Sequence, residues 1–500
     1  MKHSKHGRGK TRMKHLISAA DFSREWLEQI LSEAETCDVT ALPGKPLAQR
    51  DGRKVVLFFA EPSTRTCDSY DEAAQLLRLR RKTISGKEGT SLTKGEALSA
   101  FGRMESGYNA GVLVMRMPVE GSARWLAEMY RRYGLRTAVH NAGDGINQHP
   151  SQALLDLLTI KRKLGRLSDF SIGFLGDLKN SRTIHSLIQA LWLFPDIRIV
   201  LVSSPEVALQ PWYLNGHPGV VVSDSIEALR GCDIVYVTRV QRERFGSQID
   251  YDRVRGRYVV NASVLEMLGP EVLIMHPQPV ADGEVHPEIW MHPQVIMDEE
   301  ARLGVPARMA ALLHSLNNLD EVTDISVPAP LINGVVRGSI ADAIQRKAER
   351  ERYFLRISDG TVIDHLPFGV GSMVRSVLKS ICQKQDGVVV LTEGIESHRV
   401  AGGRKDTLVL AHRYLEPEQM AAVWVLAPDA TFNVFREGQF HKQHVQHAEM
   451  ITVGRCPNSN CITRLDPQAA RFPRFRVFRD APVVQCHYCE QAFNTNEVFA

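Results

Sequence analysis

Between residues 55 and 77 an apolar run breaks into hydroxyls and an arginine, then resumes as a helical pattern, and this transition constrains the fold most. Val55-Val56-Leu57-Phe58-Phe59 reads as a buried strand. Cys67 to Leu77 reads as a helix with acids in its first turns. Glu61-Pro62-Ser63-Thr64-Arg65-Thr66 stands between them. A strand that stops where a helix starts offers free backbone N–H groups and the positive end of the helix dipole, which together form an anion site. The Arg65 guanidinium adds a fork fitted to phosphate oxygens. An ordinary N-cap accounts for the same hydroxyls equally well.

The remaining chain repeats this grammar. Asp21 to Glu35 has apolar residues at helical spacing, with Asp21 or Ser23 as cap. Ser85 to Glu96 is a polar, glycine-punctuated loop, long enough to be functional. Gly111 to Arg116 reads as a second strand ending in a cation, and Arg136 to Val139 leads into Asn141-Ala142-Gly143-Asp144-Gly145 and Gln148-His149-Pro150-Ser151-Gln152. Arg116, His149 and Gln152 thus follow strands, where open α/β sheets bind ligands. A helix over 153–163 leads to further strands at Phe170–Leu175, Ile197–Val202, Asp233–Val237 and Val272–Met275, alternating with helical stretches, so a second parallel sheet is expected. Asp320 to Ser339, with Pro328 and Pro330, reads as an irregular linker, and Ile340 to Arg352 as a charged helix. Beyond Tyr353 short β-like runs and two helical segments, near 371–381 and 417–425, give an α+β pattern.

Five hundred residues allow three or four domains at roughly 150 residues each. No apolar run reaches the ~20 residues of a membrane helix, and the basic stretch Met1–His15 leads into no apolar segment, so it reads as a solvated tail rather than a secretion signal. A cytoplasmic location is expected. A formal charge of +4 is small for this length, and the short basic cluster has no aromatic stacking platform, which argues against nucleic acid. Cys37, Cys67, Cys232 and Cys382 are scattered, as inert thiols of a cytosolic chain are. Cys456, Cys461, Cys486 and Cys489 instead form two close pairs that can converge on one tetrahedral, structural Zn²⁺ per chain.

Several of these segments also resemble one known family. Ser63-Thr64-Arg65-Thr66 resembles the carbamoyl-phosphate motif of the aspartate and ornithine carbamoyltransferases, and Asn141 to Asp156 resembles that family's N-A-G-D-G-x-N-Q-H-P-x-Q-x-L-L-D nearly residue for residue. Gly176-Asp177-Leu178-Lys179-Asn180-Ser181-Arg182-Thr183 and Thr238-Arg239-Val240-Gln241-Arg242-Glu243-Arg244 resemble two further motifs, the second in the form of the aspartate-specific members; the S-M-G loop of ornithine-specific members is absent. Gly304 to Leu313 resembles the family's last helix, which returns to the first domain. Gly360-Thr361-Val362-Ile363-Asp364-His365-Leu366-Pro367, Gly403 to Asp406 and the four-cysteine cluster are similar to the regulatory chain of aspartate carbamoyltransferases. The order is catalytic chain, linker, regulatory chain.

The resemblance implies two doubly wound parallel-sheet domains followed by an α+β regulatory domain and a small zinc-binding β domain. Expected boundaries are a tail to 15, a carbamoyl-phosphate domain over 16–155, an aspartate domain over 156–318, a linker over 319–352, a nucleotide-binding domain over 353–450 and a zinc domain over 451–500. It implies carbamoyl transfer to aspartate in pyrimidine synthesis. Ser63, Thr64, Arg65, Thr66 and Arg116, with Ser91 and Lys94 from a neighbouring subunit, would hold carbamoyl phosphate. Thr66, Arg116 and His149 would stabilise the carbonyl oxygen, and Gln152 and the carbonyl of Gln278 would orient the carbamoyl amine. Lys94, Lys179, Arg182, Arg239 and Gln241 would hold aspartate, while Glu61 would bridge Arg182 and Arg244 on closure. Asp364, His365, Lys405 and Lys442 would face a nucleotide effector such as CTP, ATP or UTP. Catalytic trimers with shared sites are implied.

The chain departs from the family where an arginine is replaced by Cys67 and another by Val280. Two positive charges are thereby removed from near the expected site, which predicts a weakened phosphate site or an altered rate. A lysine that regulatory chains carry four residues after Lys405 is Val409 here. Two other readings stand beside the main one: a carbamoyltransferase for a different amine, and a non-catalytic nucleotide-binding scaffold.

Overall fold

The computed structural model describes residues 14–37, 53–86, 91–214, 217, 219–242, 247–254, 256–281, 283–321, 327–339, 357–381, 389–398, 400, 402–437, 439–478 and 483–499. They fall into two compact units, Met1–Asp324 and Ile325–Ala500.

In the first unit β1 (Lys54–Phe59), β2 (Arg80–Ser85), β3 (Ala110–Met117) and β4 (Ala138–Asp144) form a parallel sheet in the order β2-β1-β3-β4. A second parallel sheet is built from β5 (Phe170–Gly176), β6 (Ile197–Val202), β7 (Val220–Ser223), β8 (Ile234–Thr238) and β9 (Leu273–Met275), in the order β7-β6-β5-β8-β9. The central strands are apolar throughout because helices cover both faces. Each strand order reverses once, between β1 and β3 and between β5 and β8, and such reversals open a ligand crevice at the strand C-termini. The register sets Phe59 beside Arg116 and Gly176 beside Thr238 at those points. Gly176 has φ +117°, and a Cβ there would lie 2.2 Å from the Thr238 carbonyl oxygen, so only glycine lets the two strand ends meet.

Among the described residues the α-helices of this unit are α1 (Arg24–Thr36), α2 (Thr64–Leu76), α3 (Leu98–Gly107), α4 (Ser122–Arg132), α5 (Pro150–Leu164), α6 (Arg182–Leu191), α7 (Gln248–Val254), α8 (Ala262–Leu268), α9 (Met297–Arg302) and α10 (Gly304–Asn317). Ser23 caps α1 by accepting from the Trp26 N–H. α10 returns to the first sheet: Met309, Leu312 and Leu316 share a core with Val55, Leu57, Val112 and Val114. Its Ala307, Ala310 and Ala311 face another core, which contains Trp26, Leu158 and Ile172.

Four expectations need correction. β2, Arg-Arg-Lys-Thr-Ile-Ser, and the four-residue β7 were not read as strands, because an edge strand carries charge or is short and so lacks the buried apolar signal. α2 begins at Thr64, so its acids lie beyond the first turn. Lys14 and His15 are buried rather than part of a solvated tail: residues 14–17 run along β4, with Lys14 Nζ donating to Leu135 O (2.8 Å) and Val139 N to His15 Nδ1 (3.0 Å). Residues 1–13 and the helix expected over 340–352 lie outside the described residues.

The fourth correction concerns the linker. Leu331–Ser339 is strand β10, paired antiparallel with β15 (Gln439–His447) in a sheet of order β10-β15-β14-β11-β13-β12. Its other strands are β11 (Gly360–Pro367), β12 (Val389–Glu396), β13 (Arg404–Ala411) and β14 (Thr431–Arg436), all antiparallel. Helices Gly371–Ile381 and Pro417–Leu426 cover one face, placing Val374, Leu378, Met420 and Val423 against Ile363, Leu408 and Phe432. A small antiparallel sheet of β16 (Met450–Ile451), β17 (Phe475–Val477), β18 (Val483–Cys486) and β19 (Ala492–Asn494) completes the second unit. Among the described residues no helix is long and apolar enough to cross a membrane.

The buried Asp144 organises the motif that follows β4. Its carboxylate accepts from Gly121 N (2.7 Å), Asn147 Nδ2 (3.0 Å), Asn141 Nδ2 (2.8 Å) and Gln148 N (3.0 Å). Asp144→Ala is expected to cost the first unit ~3 kcal/mol, since it strands buried donors. The check is a thermal or urea unfolding curve; an unchanged midpoint would remove Asp144 from this role.

Candidate active site and metal centre

The crevices of the two sheets of the first unit open into one cavity of about 450 Å³. From the first sheet it is lined by Glu61, Ser63, Thr64, Arg65, Thr66, Arg116, His149 and Gln152, and from the second by Arg182, Arg239, Gln241 and Gln278. Twelve sequence-predicted residues thus converge although they span more than 200 positions of the chain. Ser63 precedes α2 without making a side-chain cap bond, so the N-cap reading loses and the first-turn N–H groups stay available. No acid lies in that turn, which leaves the positive dipole end uncompensated locally.

Glu61 ties the two sheets together. Arg116 Nη2 donates to its Oε1 (3.2 Å), and Arg182 donates to both oxygens (3.1 and 3.3 Å). Arg182 Nη1 also donates to Gly145 O (2.8 Å), and Arg116 Nη1 to Ala142 O (3.3 Å). Gly143 explains part of the motif between them, because a Cβ there would sit 3.0 Å from the Arg182 guanidinium carbon at φ +115°. Arg116 is held down to about 9, first by burial and then by repulsion from Arg182, with Glu61 opposing both. The expected pairing of Glu61 with Arg182 is present alongside Arg116; Arg244 lies outside the described residues.

His149 sits at the N-cap of α5 and is buried. Burial, reinforced by Arg116, Arg182 and Arg308, keeps it neutral well below the usual histidine range. Its Nε2 lies 3.5 Å from Thr66 Oγ1, and its Nδ1 lies 3.4 Å from Ser151 Oγ. Gln241 Nε2 donates to Asn180 O (2.9 Å), which joins the loops after β8 and β5. Gln278 has a left-handed backbone at φ +54°, and its side-chain Nε2 donates to Asp298 Oδ1 (2.9 Å).

Lys179 is exposed and is not among the lining residues; nor is Lys94, which is exposed in the short 3-10 turn Ser91–Lys94. Cys67 packs against the core beneath α2, and Val280 against the core of the second sheet. Neither lines the cavity. The lining also includes residues to which the sequence reading gave no role, among them Ser181, Thr183, Thr238, His276, Glu300 and Arg308. A lone arginine inside the apolar helix Ala-Arg-Met-Ala-Ala-Leu-Leu was a legible signal for Arg308; nothing in the sequence marked Glu300.

In the second unit Lys405 Nζ meets Asp364 Oδ1 at 2.9 Å, both nearly buried, and His365 Nδ1 lies 3.0 Å from Thr431 Oγ1. Lys442 is on β15, two strands from Asp364, opposite Asn433. Val409 packs with Val362 and Phe435.

Cys456, Cys461, Cys486 and Cys489 are all buried, with their sulfurs within 4.8 Å of one another. The 3.7 Å (Cys456–Cys489) and 3.8 Å (Cys461–Cys486) separations match the ~3.8 Å edge of a tetrahedron with ~2.3 Å metal–sulfur bonds. Burial pushes the Cys486 and Cys489 thiols well above their usual range, so four thiolates coexist there only around a cation. The donor set fits a closed metal site. Cys37 and Cys232 are buried, and burial pushes both thiols up; Cys382 lies outside the described residues.

Comparison with known proteins agrees with this layout. Residues 14–162 match the carbamoyl-P binding domain of aspartate/ornithine carbamoyltransferase, and residues 168–315 match its Asp/Orn binding domain. Residues 354–446 match the allosteric domain of the aspartate carbamoyltransferase regulatory chain, and 449–499 its metal binding domain. The aspartate carbamoyltransferase catalytic subunit of Archaeoglobus fulgidus is 40% identical over 301 residues, 60% of this chain and 98% of that one. The solved catalytic subunit from M. jannaschii is 37% identical with a TM-score of 0.55, covering 62% of this chain and 100% of its own. Aspartate transcarbamoylase from Trypanosoma cruzi, solved with N-(phosphonacetyl)-L-aspartic acid, is 28% identical with a TM-score of 0.56, covering 62% of this chain and 97% of its own.

Metal removal tests the cysteine site. A strong chelator is expected to release one metal ion per chain, expose the four thiols to titration and abolish the near-ultraviolet signal of the 449–499 domain. Retention of that fold by metal-free protein would show that the cysteines act as ordinary core residues.

Proposed function

The chain belongs to the aspartate/ornithine carbamoyltransferase family, and from its cavity we infer how it transfers the carbamoyl group of carbamoyl phosphate to the amine of aspartate, giving N-carbamoylaspartate and phosphate for pyrimidine synthesis. The observation that carries this reading is the convergence of an open helix N-terminus, two arginines shared with Glu61, a neutral histidine and the amide of Gln152 on one cavity. The α2 N-terminus from Ser63 to Thr66, with Arg65 and Arg116, takes the phosphate. Thr66, Arg116 and the neutral His149 donate to the carbonyl oxygen as charge develops on it, each good donor contributing ~3 kcal/mol. A Ser151 hydroxyl donating to Nδ1 would leave the His149 proton on Nε2, facing Thr66. Gln152 and the Gln278 carbonyl accept from the carbamoyl amine.

Arg182, Arg239 and Gln241 bind the carboxylates of aspartate, so that alignment supplies much of the rate. Lys179 and Lys94 would join on closure of the cavity, with Lys94 and Ser91 serving a neighbouring subunit within a catalytic trimer. The four cysteines hold a structural Zn²⁺. Asp364, His365 and Lys405, with Lys442 further along the sheet, would meet the phosphates or base of a nucleotide effector. A cytoplasmic location accords with this chemistry.

Purified chain assayed with carbamoyl phosphate should turn over aspartate but not ornithine, and CTP or ATP should change the rate. Arg116→Ala should lower turnover by three orders of magnitude or so, as loss of an oxyanion donor and a phosphate fork together requires. Near-normal turnover by this variant would refute the site assignment.

A shared site makes a separate prediction. Mixing inactive Arg116→Ala and Lys94→Ala chains should restore activity through hybrid sites that carry neither substitution. If no mixture regains turnover, each subunit works alone.

A further inference from the structure

Two acids with no assigned role in the transfer lie against each other at the back of the cavity. Asp156, on α5, and Glu300, on α9, are at most 1% exposed, and Glu300 lines the cavity wall. Both oxygens of Asp156 already accept: Oδ1 from Gln152 Nε2 (2.9 Å) and Oδ2 from the Tyr236 hydroxyl (3.0 Å). Glu300 Oε2 accepts from His276 N (2.9 Å). Its Oε1 is buried with no donor within reach among the described residues, and its side chain meets the carboxyl of Asp156. Two ionised carboxylates have nothing to exchange there. A proton on Glu300 Oε1, donated to Asp156, satisfies every atom of the pair.

We propose that Asp156 and Glu300 form one positioning element, a carboxylic acid hydrogen-bonded to a carboxylate, which fixes the two acceptors for the carbamoyl amine relative to each other. On one side Asp156 takes the nitrogen end of the Gln152 amide, so the oxygen end is what remains for a ligand. On the other side Glu300 holds His276, whose Nδ1 in turn accepts from Gln278 N (2.8 Å). One acceptor comes from the first sheet's side of the cavity and the other from the second's, so the shared proton fastens the carbamoyl end of the site across the crevice. The proposal rests on the carbamoyl-transfer reading of the cavity.

Burial raises both acids, and the Asp156 charge pushes Glu300 further, well above the usual carboxylate range, while the hydrogen bond from Glu300 pulls Asp156 back to about 7. The groups facing them are Tyr236 from β8, Arg308 from α10, Gln152 from α5 and the His276 backbone after β9. Arg308 and the hydrogen bonds from Tyr236 and Gln152 favour an ionised Asp156, which leaves the proton on Glu300. A raised acid keeps its proton at neutral pH and loses it as pH rises, so the pair fails on the alkaline side.

The test compares wild-type chain with Glu300→Gln and Glu300→Ala. Glutamine can donate to Asp156 and accept from His276 without a proton to lose, whereas alanine strands Asp156 and the His276 N–H. Glu300→Ala is expected to lower kcat/KM for carbamoyl phosphate about 30-fold with little change in KM for aspartate, the effect of buried polar groups left without their partner. Glu300→Gln should recover most of that loss and flatten the alkaline decline of the wild-type pH profile. Superimposable wild-type and Glu300→Gln profiles would overturn the proposal. Infrared spectroscopy reads the proton without turnover: the wild type should show a carboxylic-acid carbonyl band that Glu300→Gln lacks, and its absence from wild type overturns the pair itself. A wild-type chain that shows the band but consumes no carbamoyl phosphate overturns the substrate reading, and the positioning role with it.

Discussion

One carboxylate keeps the cavity of the first unit assembled. Glu61 stands between Arg116 of the first sheet and Arg182 of the second, within 3.3 Å of each. Without it, two guanidinium groups would face each other in a partly desolvated cleft, a repulsion that adds to burial in depressing the pKa of Arg116. Such forks fit anionic oxygens, so an anion entering the cavity meets cations that are already held in place. Part of the orienting work is thereby done before any ligand arrives.

Legibility in the sequence followed the strength of the local physical signal. The buried central strands announced themselves by unbroken apolar runs, and the Asn141–Asp156 segment by a motif whose glycines, asparagines and acid prove to be mutually dependent contacts around Asp144 and Arg182. Edge strands β2 and β7 were missed because solvent on one side removes the pattern. β10 was missed because two prolines precede it and its partner β15 lies about 100 residues on, a pairing no local window contains. Glu300 was invisible for a deeper reason. An exposed and a buried glutamate are the same letter, and only the position of Asp156 distinguishes them.

The second unit shows how much a small domain depends on a cross-link. Its terminal sheet has four short strands, with a core of few side chains such as Ile451, Phe475, Val484 and Val498. That is too little apolar area to hold some fifty residues against chain entropy. The four cysteines draw two distant turns together, and metal binding becomes folding energy. The neighbouring six-stranded sheet has two covering helices and needs no such device.

The return of α10 to the first sheet has a consequence for how the chain is made. The core beneath β1 and β3 is finished by Met309, Leu312 and Leu316, and Trp26 of α1 donates to His314 of α10 at 3.0 Å. Everything from Phe170 to Met275 is therefore an insertion between two parts of one core. As the polypeptide emerges from the ribosome, its N-terminal sheet, complete at Asp144, must wait, half covered, until roughly 170 further residues to the end of α10 have been synthesised, about 17 s at ~10 residues per second. During that interval the apolar faces of β1 and β3 are exposed to any other chain nearby, which makes synthesis rather than the finished fold the stage at which this molecule is most vulnerable.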